Sequence, residues 1–382
     1  MGAGNVILVV KIGTSSVTSP EGGVDREAVE RLAREVARVR HLGHRTVVVT
    51  SGAVTAGVAA LAPGAARPVD PVTLQALSSI GQHRLMRVYD DAFGASGMLA
   101  GQVLLAPTDF AQRGRYLHAR KTLERLLDLG VVPVVNENDA IADDEIRFGD
   151  NDRLAALVAH LLRADLMVLL TDLAGLFSAD PRVDEGATLI EEVREIDHDL
   201  ERAAGGTLND AARGGMASKL AAAKMAAWSG VLTVVAAADR ASVLVDAVTG
   251  SRSGIGTVFL PHERRLPARK LWIAFALRPA GRIVVDAGAR DAIVIRSTSL
   301  LPAGVTEVAG TFSPDDAVEI VGPDGAVVAK GIAAVGSDRS AEWVGRHTSE
   351  LPAGFPTEVV HRDDLVVLAE RGGPVAEPAD PG

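Results

Sequence analysis

The chain has 382 residues, more than one hydrophobic core usually serves, so two domains are expected. Hydrophobic residues make up 47% and aromatics only 3%, so the core is built from Ala, Val, Leu and Ile; the lack of cysteine excludes disulfides, thiolate metal sites and a cysteine nucleophile. The net charge of −10 is concentrated late in the chain: Ala280 to Gly382 carries 8 basic against 16 acidic residues, which argues against phosphate-backbone binding there.

Asn5 to Ile12 reads as an apolar strand ending in Lys11-Ile12-Gly13-Thr14-Ser15-Ser16. Asp25 then caps a helix with apolar residues at Ala28, Val29, Leu32, Val36 and Val39. Arg45 to Thr50 is a second strand, broken by Ser51-Gly52-Ala53. Thr73 to Phe93 is a long helix, Gln102 to Leu105 a strand, and Arg115 to Leu129 a helix closed by Gly130. Val131 to Val135 is the next strand, and it ends in Asn136-Glu137-Asn138-Asp139. A short excursion with an acidic tip at Asp143, Asp144 and Glu145 closes on Gly149-Asp150-Asn151-Asp152, before a helix from Arg153 to Arg163. Leu166 to Leu170 is a strand ending in Thr171-Asp172, Lys219 to Trp228 a helix and Leu232 to Ala236 a strand.

Alternating strands and helices, with several strands apolar throughout, predict a three-layer α/β/α sandwich around a mostly parallel open sheet, over residues 1–265. Right-handed crossovers bring the ends at Lys11, Ser51, Asn136 and Thr171-Asp172 to one edge, where open parallel sheets bind ligands. From about Ala280 the pattern changes to short strands with frequent Gly and Pro, at Arg282–Val285, Ala292–Ile295, Ala317–Val321 and Val327–Ile332. A small β-rich domain over 280–368 is expected, followed by a disordered tail at 371–382. No apolar run approaches the roughly 20 residues that span a bilayer, and the N-terminus has no basic leader, so a cytoplasmic location is expected.

There is no Walker A sequence and no well-placed G-x-G-x-x-G. Two other elements suit phosphate. Gly13 lets backbone N–H groups approach an anion beside Lys11. Arg213-Gly214-Gly215-Met216-Ala217-Ser218-Lys219 opens a helix, whose first N–H groups favour anions, with Lys219 in the first turn. Taken singly, each is an ordinary lysine near a turn; together they favour phosphoryl transfer, which needs positioning and positive charge that Lys11 and Lys219 would supply from two sides, with Asp152 as a carboxylate that would hold both. Read alone, Asp150 and Asp152 are turn and helix-cap residues, and Asp172 either binds ribose hydroxyls or caps the next turn. The nine histidines form no metal motif, and Ser51 has no nucleophile elbow.

V-V-K-I-G-T-S at 9–15, T-S-G-A at 50–53, N-E-N-D at 136–139, G-D-N-D at 149–152, T-D-x-x-G-L-F-x-A-D-P-R at 171–182 and G-G-M-A-S-K at 214–219 closely resemble the glutamate 5-kinase family of amino acid kinases. The segment from about Ala280 to Leu368 resembles the PUA domain that many members carry. The resemblance implies phosphorylation of the γ-carboxylate of L-glutamate by ATP with Mg²⁺, the first step of proline synthesis. It implies catalytic roles for Lys11, Lys219 and Asp152, and glutamate binding by Ser51, Asp139 and Asn151. It assigns ATP to Lys11, Thr171, Asp172 and the turn Arg213, Gly214, Gly215, Met216, Ala217, Ser218 and Lys219. It further implies a homo-oligomer and handover of a labile product to the next pathway enzyme. Many members have Gly-Thr where this chain has Ala212-Arg213. The competing readings are a kinase for aspartate, N-acetylglutamate or carbamate, and an RNA-binding protein. An acetylated substrate has no ammonium for Asp139, and the acidic C-terminal third counts against RNA.

Overall fold

The computed structural model describes residues 5–19, 23–62, 64–110, 112–141, 151–196, 200, 215–262, 265–277, 279–352, 354 and 356–368. The acidic tip at 143–145, Gly149, Asp150, Arg213, Gly214 and the tail at 371–382 lie outside the described residues. The chain divides into two compact units, Met1–Ala268 and Arg269–Gly382.

In the first unit β1 (Ile7–Ile12) leads through a single helical turn, α1 (Thr14–Val17), to α2 (Arg26–His41). Asp25 caps α2 by accepting from the Ala28 N–H at 3.0 Å, and the apolar stripe from Ala28 to Val39 is buried. Then come β2 (Arg45–Val49), α3 (Ala53–Leu61), α4 (Pro71–Ala95), β3 (Ala100–Leu105) and α5 (Arg113–Asp128). β4 (Val132–Glu137), α6 (Asn151–Leu162), β5 (Leu166–Thr171), β6 (Glu192–Val193) and α7 (Met216–Trp228) follow. β7 (Leu232–Ala237), α8 (Val243–Thr249) and β8 (Thr257–Phe259) complete the unit.

These strands form one eight-stranded sheet in the order β3-β4-β2-β1-β5-β7-β8-β6. All neighbours are parallel except β7 and β8, so the last two strands run against the others. The central strands do not alternate apolar with polar residues, because both faces are covered: Leu8, Val9, Val10, Val47, Val48, Val49, Val134, Val135 and Leu166 to Leu169 have no exposure. From β1 the chain moves to β2 on one side, and from β5 to β6 and then β7 on the other. The carboxyl ends of β1 and β5 therefore flank the point where connections part, the place where open α/β sheets bind ligands.

α3 is not foreseen by the Ser51-Gly52-Ala53 turn, and its backbone packs closely on α4. A Cβ at Gly57 would fall on the Leu77 carbonyl, and one at Gly81 on the Ala53 carbonyl. The two glycines thus bring α4 against the start of α3. Gly52, the residue before α3, has φ +101°, a left-handed conformation that favours glycine and turns the chain sharply after Ser51.

The second unit has a five-stranded sheet ordered β10-β9-β11-β12-β13, from β9 (Gly281–Val285), β10 (Val305–Gly310), β11 (Ala317–Val321), β12 (Val327–Ala333) and β13 (Val360–Val367). Only β9 and β11 pair in parallel. The segment Ala292–Ile295, expected as a strand, lies instead at the end of a helix, α9 (Ala287–Val294). Asp286 caps it by accepting from Ala289 N–H at 2.7 Å, and Ile293 and Val294 are buried in the core around Trp343. A capped helix of eight residues buries two adjacent apolar residues as well as a strand does, and a four-residue apolar run does not distinguish them.

Candidate active site

The polar residues that end the four central strands converge on one edge. Lys11 lies at the end of β1, Thr50 and Ser51 follow β2, Asn136 and Glu137 end β4, and Thr171 ends β5. All six are buried among otherwise apolar strands. α6 and α7 face the same edge with their N-termini, which carry Asn151-Asp152 and Ser218-Lys219.

Asp152, with 1% exposure, binds both lysines. Its Oδ1 lies 2.7 Å from Lys11 Nζ and its Oδ2 3.2 Å from Lys219 Nζ, and Ser218 Oγ donates to Oδ2 at 3.1 Å. Burial alone would raise this carboxyl, but the two ammonium groups outweigh it and hold it below the ordinary carboxylate range. The cluster therefore sets an ionised acid between two cations.

Glycines stand close to both lysines. A Cβ on Gly13 would stand 3.4 Å from Lys11 Nζ. α7 follows Gly215, which has no side chain to cap it, and a Cβ there would meet nothing within 4 Å. N–H groups at a helix start, with Lys219 in the first turn, suit a phosphate. Thr171 Oγ1 donates to Asp172 Oδ1 at 2.9 Å at the end of β5.

The other side of the edge is built from amides. Asn151 Nδ2 donates to Ser51 Oγ at 2.9 Å and to Asn136 Oδ1 at 3.1 Å. Asn136 Nδ2 donates to Gln82 Oε1 at 2.7 Å, on α4. Thr50 Oγ1 and the Tyr89 hydroxyl, also on α4, are hydrogen-bonded at 2.8 Å, and burial pushes the Tyr89 phenol up. Asp139 follows β4 and is 8% exposed. Burial pushes its carboxyl up to about 6, against the opposing charge of Arg67.

The expected residues thus separate cleanly by place. Lys11, Asp152, Ser218 and Lys219 form one hydrogen-bonded cluster, and Ser51 and Asn151 belong to a second, with Asp139 following the same strand as Asn136. Thr171 and Asp172 bond each other, and Gly215, Met216 and Ala217 lie at the uncapped start of α7. Arg213 and Gly214 lie outside the described residues. Sequence reading missed Gln82, Tyr89 and Arg67. Gln82 carried a signal: it lies in the buried stripe Leu74, Leu77, Gly81, Leu85 and Tyr89, a polar side chain where the helical period demands an apolar one. Among the described residues no group of three acidic or histidine side chains is arranged to hold a metal ion. No helix among them is long and apolar enough to cross a membrane.

Comparison with known proteins gives the family. The model of the amino acid kinase family matches residues 6–237, and that of the PUA domain matches residues 281–355. The chain is 46% identical over 366 residues to a glutamate 5-kinase of Frankia casuarinae, covering 94% of this chain and 96% of that one. It is 45% identical over 365 residues to that of Mycobacterium tuberculosis, covering 95% of each. It is 44% identical over 365 residues to that of Trichlorobacter lovleyi, covering 94% and 96%. The chain belongs to the amino acid kinase family and, within it, to the glutamate 5-kinases that carry a PUA domain.

Proposed function

We propose that the chain transfers the γ-phosphoryl group of ATP to the γ-carboxylate of L-glutamate, giving ADP and L-glutamyl 5-phosphate. The observation that carries this reading is the pair of buried lysines bound at 2.7 and 3.2 Å to one buried carboxylate, beside the cluster of Ser51, Asn151 and Asn136. In the reaction a γ-carboxylate oxygen bonds to the γ-phosphorus as the bond to the bridging β,γ-oxygen breaks, and ADP departs with those electrons. The nucleophile is already an anion at neutral pH and needs no general base. The obstacle is repulsion between anions, which Lys11 and Lys219 relieve. Asp152 is occupied by the lysines and acts as their holder rather than as a base.

Ser51, Asn151 and Asp139 hold glutamate, with the ammonium group satisfying the Asp139 carboxylate. Lys11, Thr171, Asp172 and the turn from Arg213 through Gly214, Gly215, Met216, Ala217 and Ser218 to Lys219 hold ATP. Mg²⁺ fits as an ion that arrives on the phosphates with its own waters, since Asp152 is engaged by lysines and no group of three acidic or histidine side chains is available among the described residues. Bound there, it would offset charge on the β- and γ-oxygens. The same family reading supports a cytoplasmic homo-oligomer at the first step of proline synthesis, whose labile acyl phosphate passes to the next enzyme. The test is ADP release with and without L-glutamate, with hydroxylamine present to trap the acyl phosphate. Brisk turnover on aspartate with none on glutamate would overturn the assignment.

A further inference from the structure

Behind the residues assigned to glutamate runs a row of three side-chain amides. Asn136 Oδ1 accepts from the backbone N–H of Glu137 at 2.9 Å. A backbone N–H only donates, so this bond decides which end of the Asn136 amide is oxygen. Asn136 Nδ2 must then donate, and Gln82 Oε1 receives it at 2.7 Å. The same Asn136 Oδ1 accepts from Asn151 Nδ2 at 3.1 Å, and that nitrogen also donates to Ser51 Oγ at 2.9 Å. Both hydrogens on Asn151 Nδ2 are thereby used. Asn151 Oδ1 is left buried, with no hydrogen-bond partner among the described residues. A buried acceptor left this way is costly unless a ligand completes it. An ammonium group, which only donates, is the matching ligand chemistry.

We infer that Gln82 is a positioning residue: by accepting from Asn136 it locks the amide row in the orientation that offers the Asn151 carbonyl to the α-ammonium of glutamate. The inference deepens the glutamate-kinase reading and rests on it. Gln82 keeps this orientation although its own Nε2 has no partner among the described residues, so the bond to Asn136 decides it. A flipped Gln82 would set two NH₂ groups against each other. Without an acceptor at 82, Asn136 Nδ2 would be an unmet donor on a residue with 1% exposure, and the side chain meets another acceptor only by swinging as a whole, which loosens the bond its oxygen accepts from Asn151. The helix is built to hold the row. Gln82 and Tyr89, two turns apart on α4, brace the ends of β4 and β2, and Gly81 brings α4 against α3.

The experiment is steady-state kinetics on the full chain with Gln82→Met, Gln82→Leu and Gln82→Glu. Methionine matches glutamine in length without its forked polar end and accepts no such bond, and leucine is the second deletion in case one variant folds poorly. The Gln82→Glu change keeps an oxygen facing Asn136. The expected result is a rise of about tenfold or more in the KM for L-glutamate with Met or Leu, with kcat and the KM for ATP within about twofold. Gln82→Glu should return the glutamate KM to within about threefold of the parent. An unchanged glutamate KM in the Met and Leu variants overturns the inference. So does a joint shift of kcat and both KM values, or a Gln82→Glu variant as impaired as the deletions. A parent enzyme with no glutamate-dependent turnover would instead sink the kinase reading itself.

Discussion

Asp152 and Asp139 are both buried aspartates at the same edge of one sheet, yet their surroundings push their carboxyls in opposite directions. Asp152 lies between two ammonium groups and is held ionised. Asp139 has only Arg67 as an opposing charge, and burial raises it to about 6. The difference teaches what each half of the site lacks. The lysine half has its two cations already assembled around one carboxylate. The substrate half has acceptors, Asp139 and Asn151 Oδ1, and lacks a donor. In the proposed reaction ATP would meet the first half and the ammonium group of glutamate the second.

The stability consequences follow the same split. Asp152 has a lowered carboxyl, so its contribution is fully present above the unfolded value of about 4 and is lost as pH falls through the lower folded value. Asp139 has a raised carboxyl, so its contribution is present below about 4 and is lost as pH rises through about 6. The substrate half is thus strained at neutral pH until an ammonium group enters it.

The largest effect is expected where the lysine half is broken. Asp152→Asn leaves two buried lysines without their anion and should lower unfolding free energy by about 3–5 kcal/mol, read by denaturant titration. A loss under about 1 kcal/mol would mean that the lysines do not depend on it. Lys219→Met should lower kcat about a hundred- to a thousandfold, while the glutamate KM moves little. Equal damage to both would contradict the division of labour. Gly81→Ala forces a methyl group onto the Ala53 carbonyl and should cost about 1–3 kcal/mol, with the glutamate KM rising because α4 shifts.

The smallest effect separates the halves most finely. For Asp139→Asn the glutamate KM should rise about tenfold at neutral pH. In the parent enzyme the glutamate KM should climb as pH falls through about 6, because the carboxyl protonates and no longer attracts the ammonium group. That climb should vanish in Asp139→Asn. A pH profile identical in both proteins would remove Asp139 from glutamate recognition.

The cluster of Lys11, Asp152 and Lys219 was readable in sequence because its parts are short local signatures: a lysine ending an apolar strand, a double glycine before a helix, and an acid at a helix start. The parallel sheet was readable because β2, β4 and β5 are apolar over most of their length. Gln82 was not, since its partner Asn136 lies 54 residues away and no local motif links them. Its only trace is a polar residue on a buried helical stripe. α3 was hidden because Ala53–Leu61 is apolar nearly all round and shows little periodicity, and its place depends on Gly57 meeting α4. The helix at Ala287–Val294 was hidden because a short apolar run fits either element until Asp286 is seen to cap it.

The most direct test of the account is hydroxylamine trapping of the acyl phosphate, run in parallel on L-glutamate, L-aspartate and N-acetyl-L-glutamate with Mg²⁺-ATP. The account predicts ADP and hydroxamate in equal amounts with L-glutamate and little with the other two, since one is a carbon shorter and the other has no ammonium group for Asp139. Turnover on N-acetyl-L-glutamate equal to or faster than on L-glutamate would contradict it.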